Sequence, residues 1–284
     1  FMSKKCSFIK TPDDLKAINK GLSKITTHGT ETLNLFWNTD IKILEKILPP
    51  QLKPASSMVI VYVCHIPYIS LGTPYSEAGI IIPVLYNNES YNYMLDVVLS
   101  NNQDMAMLIG REILGFQKKL AEKITLHRNG DTVTVSVKRN GINFFNATAE
   151  IVTSNINTNN LTTNSSSINQ PSISKGLTIT CNFKYNCNRF LFNNIELQEY
   201  EQETILASTE KAIITDINLT PSLDNPWSEL KVIEPLGAQY QITSESYEYP
   251  PTTLEKLYGP EYYKYLLGRY DSSQMGYPYR NFND

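Results

Sequence analysis

Lys118 and Lys119 stand together in the stretch 109–121, with Gly115 and Phe116 before them and Leu120 after. The chemistry such a pair offers is nucleophilic. A lysine is ordinarily an ammonium near neutral pH, its reference pKa being about 10.4. A second ammonium beside it, or an apolar wall around it, favours the neutral amine. A neutral amine attacks a ketone carbon and forms a Schiff base. Residue type alone does not decide the matter, because most lysine pairs are solvated surface pairs. The elements that hold the pair must.

Residues 103–114 carry Met105, Leu108, Ile109 and Ile113 at helical spacing. Gly115 suits the position just past a helix end, so Lys118 is expected beyond a helix rather than inside one. Upstream, a helix is predicted over Pro12–Leu22 and a strand over 34–37. A helix follows over 41–48, capped by Thr39 or Asp40 and stopped by Pro49-Pro50. The β-branched run 58–64 reads as a buried strand, and 80–86 and 91–99 as two more, with Asn87-Asn88 as a turn. Asn129-Gly130 and Asn140-Gly141 separate alternating runs, the strongest short hairpin signal, and predict a three-stranded meander. Within it Val133, Val135 and Val137 share one face. Residues 154–170 read as a polar loop. Strands are predicted over 177–185, 189–196, 203–216 and 228–235, and short helices over 253–257 and 261–267.

The chain has 284 residues, 41% hydrophobic and 19% charged, the composition of a globular protein with a real core. A net charge of −3 and the lack of a basic run argue against a nucleic-acid partner. No apolar run is long enough to span a membrane. Residues 2–6 hold no apolar signal core, and Cys6, Cys64, Cys181 and Cys187 show no metal spacing. Reduced thiols and a cytoplasmic location are expected. His28, His65 and His127 also lack metal-ligand spacing, so no metal is expected. His127, beside a hairpin turn, is expected on the surface. His65 ends an apolar strand and is expected either to line the pocket or to be a satisfied core histidine.

The segment Gly110-Arg111-Glu112-Ile113-Leu114-Gly115-Phe116-Gln117-Lys118-Lys119-Leu120 resembles the signature of the acetoacetate decarboxylase family, with Gln117 where proline is usual. Residues 34–40 with the following helix, and Tyr75-Ser76-Glu77-Ala78-Gly79 followed by Ile82-Pro83-Val84, resemble two further anchors. The likeness runs from about residue 34 to residue 250. It implies an α+β, mostly β fold: a single domain built on a cone-like antiparallel β-barrel with a few short helices, assembled into homo-oligomers. The corresponding division is a lead-in at 1–30, the barrel domain at 31–252 and a tyrosine-rich extension at 253–284, expected either to pack on a neighbouring subunit or to be disordered.

The resemblance also implies an enzyme acting on a small-molecule keto acid with no cofactor. Lys118 is then the Schiff-base nucleophile, Lys119 the neighbour that perturbs it, and Glu77 an acidic residue that orients substrate or moves protons. Carbon dioxide leaves as its bonding electrons pass into the protonated imine. Tyr62, Phe116 and His65 are the expected substrate-binding residues. Arg111 and Glu112 are expected to brace the loop carrying Lys118. Two positions depart from the family: Thr30 and Tyr62 stand where an arginine and a glutamate are found, which removes a cation for the substrate carboxylate. Schiff-base aldol or dehydration chemistry without decarboxylation, and a non-catalytic binding barrel, therefore stay open beside the decarboxylase.

Overall fold

The computed structural model describes residues 8–100, 103–152, 168–186, 189–271 and 273. Helix α1 (Pro12–Leu22) opens on a reciprocal cap between Thr11 and Asp14. Strand β1 (Ile25–Asn38) is far longer than the four residues expected. Asp40 caps α2 (Ile41–Ile47) by accepting from the Lys42 N–H. Then come β2 (Lys53–Pro54), β3 (Met58–Ile66), β4 (Tyr68–Ile69), β5 (Tyr75–Tyr86) and β6 (Glu89–Ser100). A short α3 (Asp104–Leu108) runs into a π-helical turn (Ile109–Ile113), and β7 (Lys118–Ala121) follows. The meander is β8 (Lys123–Asn129), β9 (Thr132–Arg139) and β10 (Ile142–Ile151). The chain continues as β11 (Pro171–Asn186), β12 (Arg189–Leu219), β13 (Glu234–Glu248) and β14 (Thr252–Leu257), and ends in two 3-10 turns, Pro260–Tyr265 and Leu267–Arg269.

The strands form a closed ring in the order β11-β6-β5-β3-β1-β13-β12 and back to β11, with β10, β9 and β8 continuing outward from β12. This is the barrel expected, with one amendment: β11–β6 and β6–β7 pair in parallel. Strand alternation divides the side chains of the ring. Leu33, Leu35, Val59, Val61, Val63, Ile80 and Ile82 point to one face and join Val133, Val135, Val137 and Phe144 of the meander in the main core. Thr30, Thr32, Asn34, Tyr62, Cys64 and Glu77 point to the other face and line an internal cavity.

Both hairpins of the meander form. Asn140 and Gly141 both have positive φ (49° and 76°), the two-residue turn expected. In the other, Asn129 already pairs with Thr132, so the turn is Gly130-Asp131, with only Gly130 at positive φ.

Two expectations fail. Residues 253–257 are a strand, not a helix: Ile195 to Glu199 of β12 offer a free edge, and Leu257 to Thr252 pair along it. Residues 228–233 are not strand, because Trp227–Glu229 makes a 3-10 turn that seats the Trp227 ring edge-on to Phe144, centroids 5.0 Å apart. The strand begins at Glu234 and runs to Glu248, most of it unforeseen. Of the tyrosine-rich extension, the described residues pack on their own chain: Tyr262, Tyr263, Tyr265 and Tyr270 lie against the main core and Leu266 is fully buried. Most of the predicted polar stretch 154–170 lies outside the described residues, as do Cys6 and Cys187; Cys64 and Cys181 are free thiols. No helix among the described residues is long and apolar enough to cross a membrane.

Candidate active site

Lys118 reaches its place through a local irregularity. After α3 the chain widens into the π-helical turn, a feature often found at functional sites, and the Phe116 N–H donates to the Gly110 carbonyl at 2.8 Å. Gly115, at φ 75°, turns the chain so that β7 starts at Lys118 and pairs with Val97 of β6. Gly110 leaves the space through which the Lys118 stem passes; a Cβ there would overlap Lys118 Cδ and Cε. The bracing comes from the C-terminal segment. Arg269, buried, donates to the Gly115 carbonyl at 2.8 Å and the Ile179 carbonyl at 2.7 Å, and Gln117 donates to the Tyr265 carbonyl at 2.8 Å. Arg111 only lies over the Tyr270 ring at 5.6 Å, and Glu112 is exposed.

Lys118 is 5% exposed and its Nζ donates to Glu77 Oε2 at 2.6 Å. The other oxygen of Glu77 accepts from the Tyr62 hydroxyl at 2.7 Å. Gly79 makes that contact possible, since a Cβ on it would run into the Tyr62 ring at 2.6 Å. The Phe116 ring lies 5.5 Å from Lys118 Nζ and the Tyr75 ring 6.0 Å. Tyr200 meets Phe116 edge-on, centroids 5.2 Å apart. These groups enclose a cavity of about 240 Å³ whose remaining wall combines hydroxyls and amides from β1, β12 and β13 with apolar residues, among them Ile25, Ile66, Ile69, Ile81 and Met94. Among the described residues its only charged lining groups are Lys118, Glu77 and Glu248. Burial, reinforced by Glu77, pushes the Tyr62 hydroxyl well above its ordinary range, and burial likewise raises the Cys64 thiol. Burial also raises the Glu248 carboxyl; Lys118 opposes that shift and Glu77 reinforces it.

The structure thus brings Lys118, Glu77, Tyr62 and Phe116 together. It does not bring Lys119. Adjacent residues of a strand face opposite ways, so Lys119 leaves this cavity and donates to the Asp224 carbonyl on the far side of the sheet. His65 is neither pocket nor core. It is exposed, 3.2 Å from Ser76 Oγ, because Tyr62, Cys64 and Ile66 are the inward residues of β3. His127 is on the surface as expected. Thr30 lines the cavity, and its Oγ1 is buried without a hydrogen-bond partner among the described residues. Glu248 and Tyr200 were missed. Both come from late strands, and only the closure of the ring through β12 and β13 carries them to Lys118.

Residues 11–254 match the acetoacetate decarboxylase (ADC) family. The chain belongs to that family. The ADC fold is plain in three dimensions too. An acetoacetate decarboxylase from Legionella pneumophila superposes with a TM-score of 0.67 at 18% identity, over 90% of this chain and 94% of that one. Within the family the relatives diverge. A CLA biosynthesis isomerase from Lactiplantibacillus plantarum is 26% identical over 94% of this chain and 95% of its own length. An acetoacetate decarboxylase from Burkholderia multivorans is 35% identical, but over only 36% of this chain and 41% of its own.

Proposed function

We propose that this ADC-family protein is an enzyme that activates a ketone as a Schiff base on Lys118 and then moves a proton on the substrate carbon chain, giving an isomer rather than carbon dioxide. One observation carries the reading: among the described residues the sole cation lining the cavity is the Lys118 amine, and the other charged groups there are the carboxylates of Glu77 and Glu248. A β-keto acid about to lose carbon dioxide gains from a second cation for its carboxylate. Thr30 supplies a hydroxyl where the resemblance implies an arginine, and Tyr62 is tied to Glu77. The likeness to an isomerase over nearly the whole chain supports the same reading.

The steps balance. Lys118 gives its proton to Glu77 across their 2.6 Å hydrogen bond. The free amine adds to the ketone carbon, Glu77 passes that proton on to the departing hydroxyl, and water leaves to give a protonated imine with Glu77 again a carboxylate. The imine nitrogen withdraws electrons, so a carboxylate at the cavity wall removes a proton from the adjacent carbon and an enamine forms. With a carbon–carbon double bond next along the chain, the second carboxyl group returns a proton at its far end. Burial raises the Glu248 pKa, which favours the protonated form that this donation requires. Water then hydrolyses the imine to the isomerised ketone and the Lys118 ammonium, and exchange with solvent moves the proton that Glu77 took from carbon back to Glu248. The Tyr62 hydroxyl holds Glu77 in position throughout.

The test is to incubate the protein separately with a β,γ-unsaturated ketone and with acetoacetate, reduce with borohydride and map the mass increase. The expected result is an adduct on Lys118, a shifted double bond, deuterium uptake in heavy water at the far end of the original double bond, and no carbon dioxide above the uncatalysed rate. Enzymatic carbon dioxide release from acetoacetate would restore the decarboxylase, the reading favoured by local likeness to the Burkholderia protein. An adduct with neither compound would leave a binding barrel.

A further inference from the structure

On the opposite face of the sheet from the Lys118 cavity lies a larger cleft, about 400 Å³, within the range of small-molecule sites. One wall is the β6 segment with Tyr93 and Leu95. Another is the loop with Trp227 and Leu230, and a third is the C-terminal segment 264–270, past the last residue of the family match. Lys119 forms part of its floor. This ammonium is 5% exposed, and its single hydrogen bond among the described residues is to the Asp224 carbonyl. Burying an ammonium on one neutral acceptor leaves two of its donors unused, and although Asp96 and Asp224 line the same cleft, Lys119 makes no ion pair with either among the described residues.

The charges around Lys119 sharpen the point. Lys46 and Lys264, both exposed, stand at the mouth, and none of the three lysines forms an ion pair among the described residues. The acids are engaged elsewhere. The Asp224 carboxylate accepts from Asn140 at 3.0 Å and from Ser273, and Asp96 accepts from the Trp227 indole at 2.7 Å and Asn225 at 3.2 Å. Glu229 is exposed at the rim. We propose that this cleft is a second ligand site, separate from the Lys118 cavity, that takes an amphiphilic carboxylate: the head group meets Lys119, and the apolar body lies along Tyr93, Trp227 and Leu230. The site is independent of the chemistry assigned to Lys118, because the two lysines face opposite sides of β7.

Calorimetric titration of the full chain carrying Lys118→Met tests this without interference from the other cavity. The probes are octanoate, 3-phenylpropionate and 1-octanol. At least one of the two acids should bind saturably at one per chain, and 1-octanol about tenfold more weakly than octanoate, the scale of a lost charge-assisted hydrogen bond. Whichever acid binds better supports the site and tells whether the body is a chain or a ring. Adding Lys119→Met should weaken the better acid about tenfold or more. Lys264→Glu, on the exposed rim and harmless to the core, should weaken it severalfold even if the Lys119 variant does not fold. The proposal is overturned if 1-octanol binds as well as octanoate, if Lys119→Met or Lys264→Glu leaves acid binding unchanged, or if neither acid binds at millimolar concentration.

Discussion

The cavity around Lys118 and the cleft around Lys119 are built from the same four-residue strand, yet they are opposites. On one side an ammonium meets a carboxylate at 2.6 Å, between apolar side chains and a band of hydroxyls and amides. On the other an equally buried ammonium meets only a backbone carbonyl, between aromatic and aliphatic walls. A lysine pair in sequence looks like one electrostatic unit. Placed on a strand it becomes two sites, because consecutive side chains diverge. Whatever activates Lys118 must therefore come from its own cavity, from Glu77, Tyr62 and the surrounding apolar wall, and not from the side chain next to it in the chain.

The sharpest way to break this contrast is to exchange each lysine in turn. Lys118→Arg keeps the charge but cannot form an imine, so borohydride trapping should vanish and turnover should fall by roughly 10³-fold or more. Lys119→Met should keep the Lys118 adduct and lose no more than about tenfold in turnover. Equal losses in the two variants, measured on protein of unchanged circular dichroism, would mean that the pair acts as one.

A smaller effect is expected from closing the space behind Lys118. Helix propensity alone predicts that Gly110→Ala gains about 1 kcal/mol. The overlap with Lys118 Cδ and Cε argues the other way, since overpacking costs about 1–3 kcal/mol. The net expectation is a lower Tm and turnover down by on the order of 10²-fold, as a misplaced nucleophile would give. A Gly110→Ala protein that is both more stable and fully active would refute the packing argument. Tyr62→Phe should be milder still. It removes one hydrogen bond to Glu77, worth about 1 kcal/mol, so kcat should fall roughly fivefold with KM little changed.

The same alternation explains what could be read from the sequence and what could not. Val133, Val135 and Val137 declared their face because the other side of β9 is polar and exposed. Strand β13 stayed hidden because its inward residues, among them Gln241, Thr243 and Glu248, line a polar cavity, so the apolar rhythm that marks a strand is missing. Lys118 and Glu77 were legible from local words in the chain. Tyr62 and His65 were both expected in the pocket, although an odd spacing on one strand puts them on opposite faces; that error was avoidable. Glu248 and Arg269 had no local signal. The first depends on the closure of the ring, and the second on a segment folding back over the lysine loop, neither of which is written near Lys118.

The smallest effect tests the cavity's second carboxyl group. Burial raises the Glu248 pKa above its ordinary 4.5. A carboxyl whose folded pKa lies above its unfolded value binds more protons when folded, so stability falls as pH rises from the unfolded pKa through the folded one. Glu248→Gln removes that loss. The variant and the parent should melt together near pH 4, where both states of the parent are largely protonated. As pH rises from there, the variant should come to melt higher than the parent. Turnover should move in the opposite direction, because glutamine cannot return the proton. A variant that melts lower than the parent at pH 8 would mean that the ionised carboxylate is held by a favourable contact with Lys118, which would make Glu248 a counter-ion and leave Glu77 to carry both proton transfers.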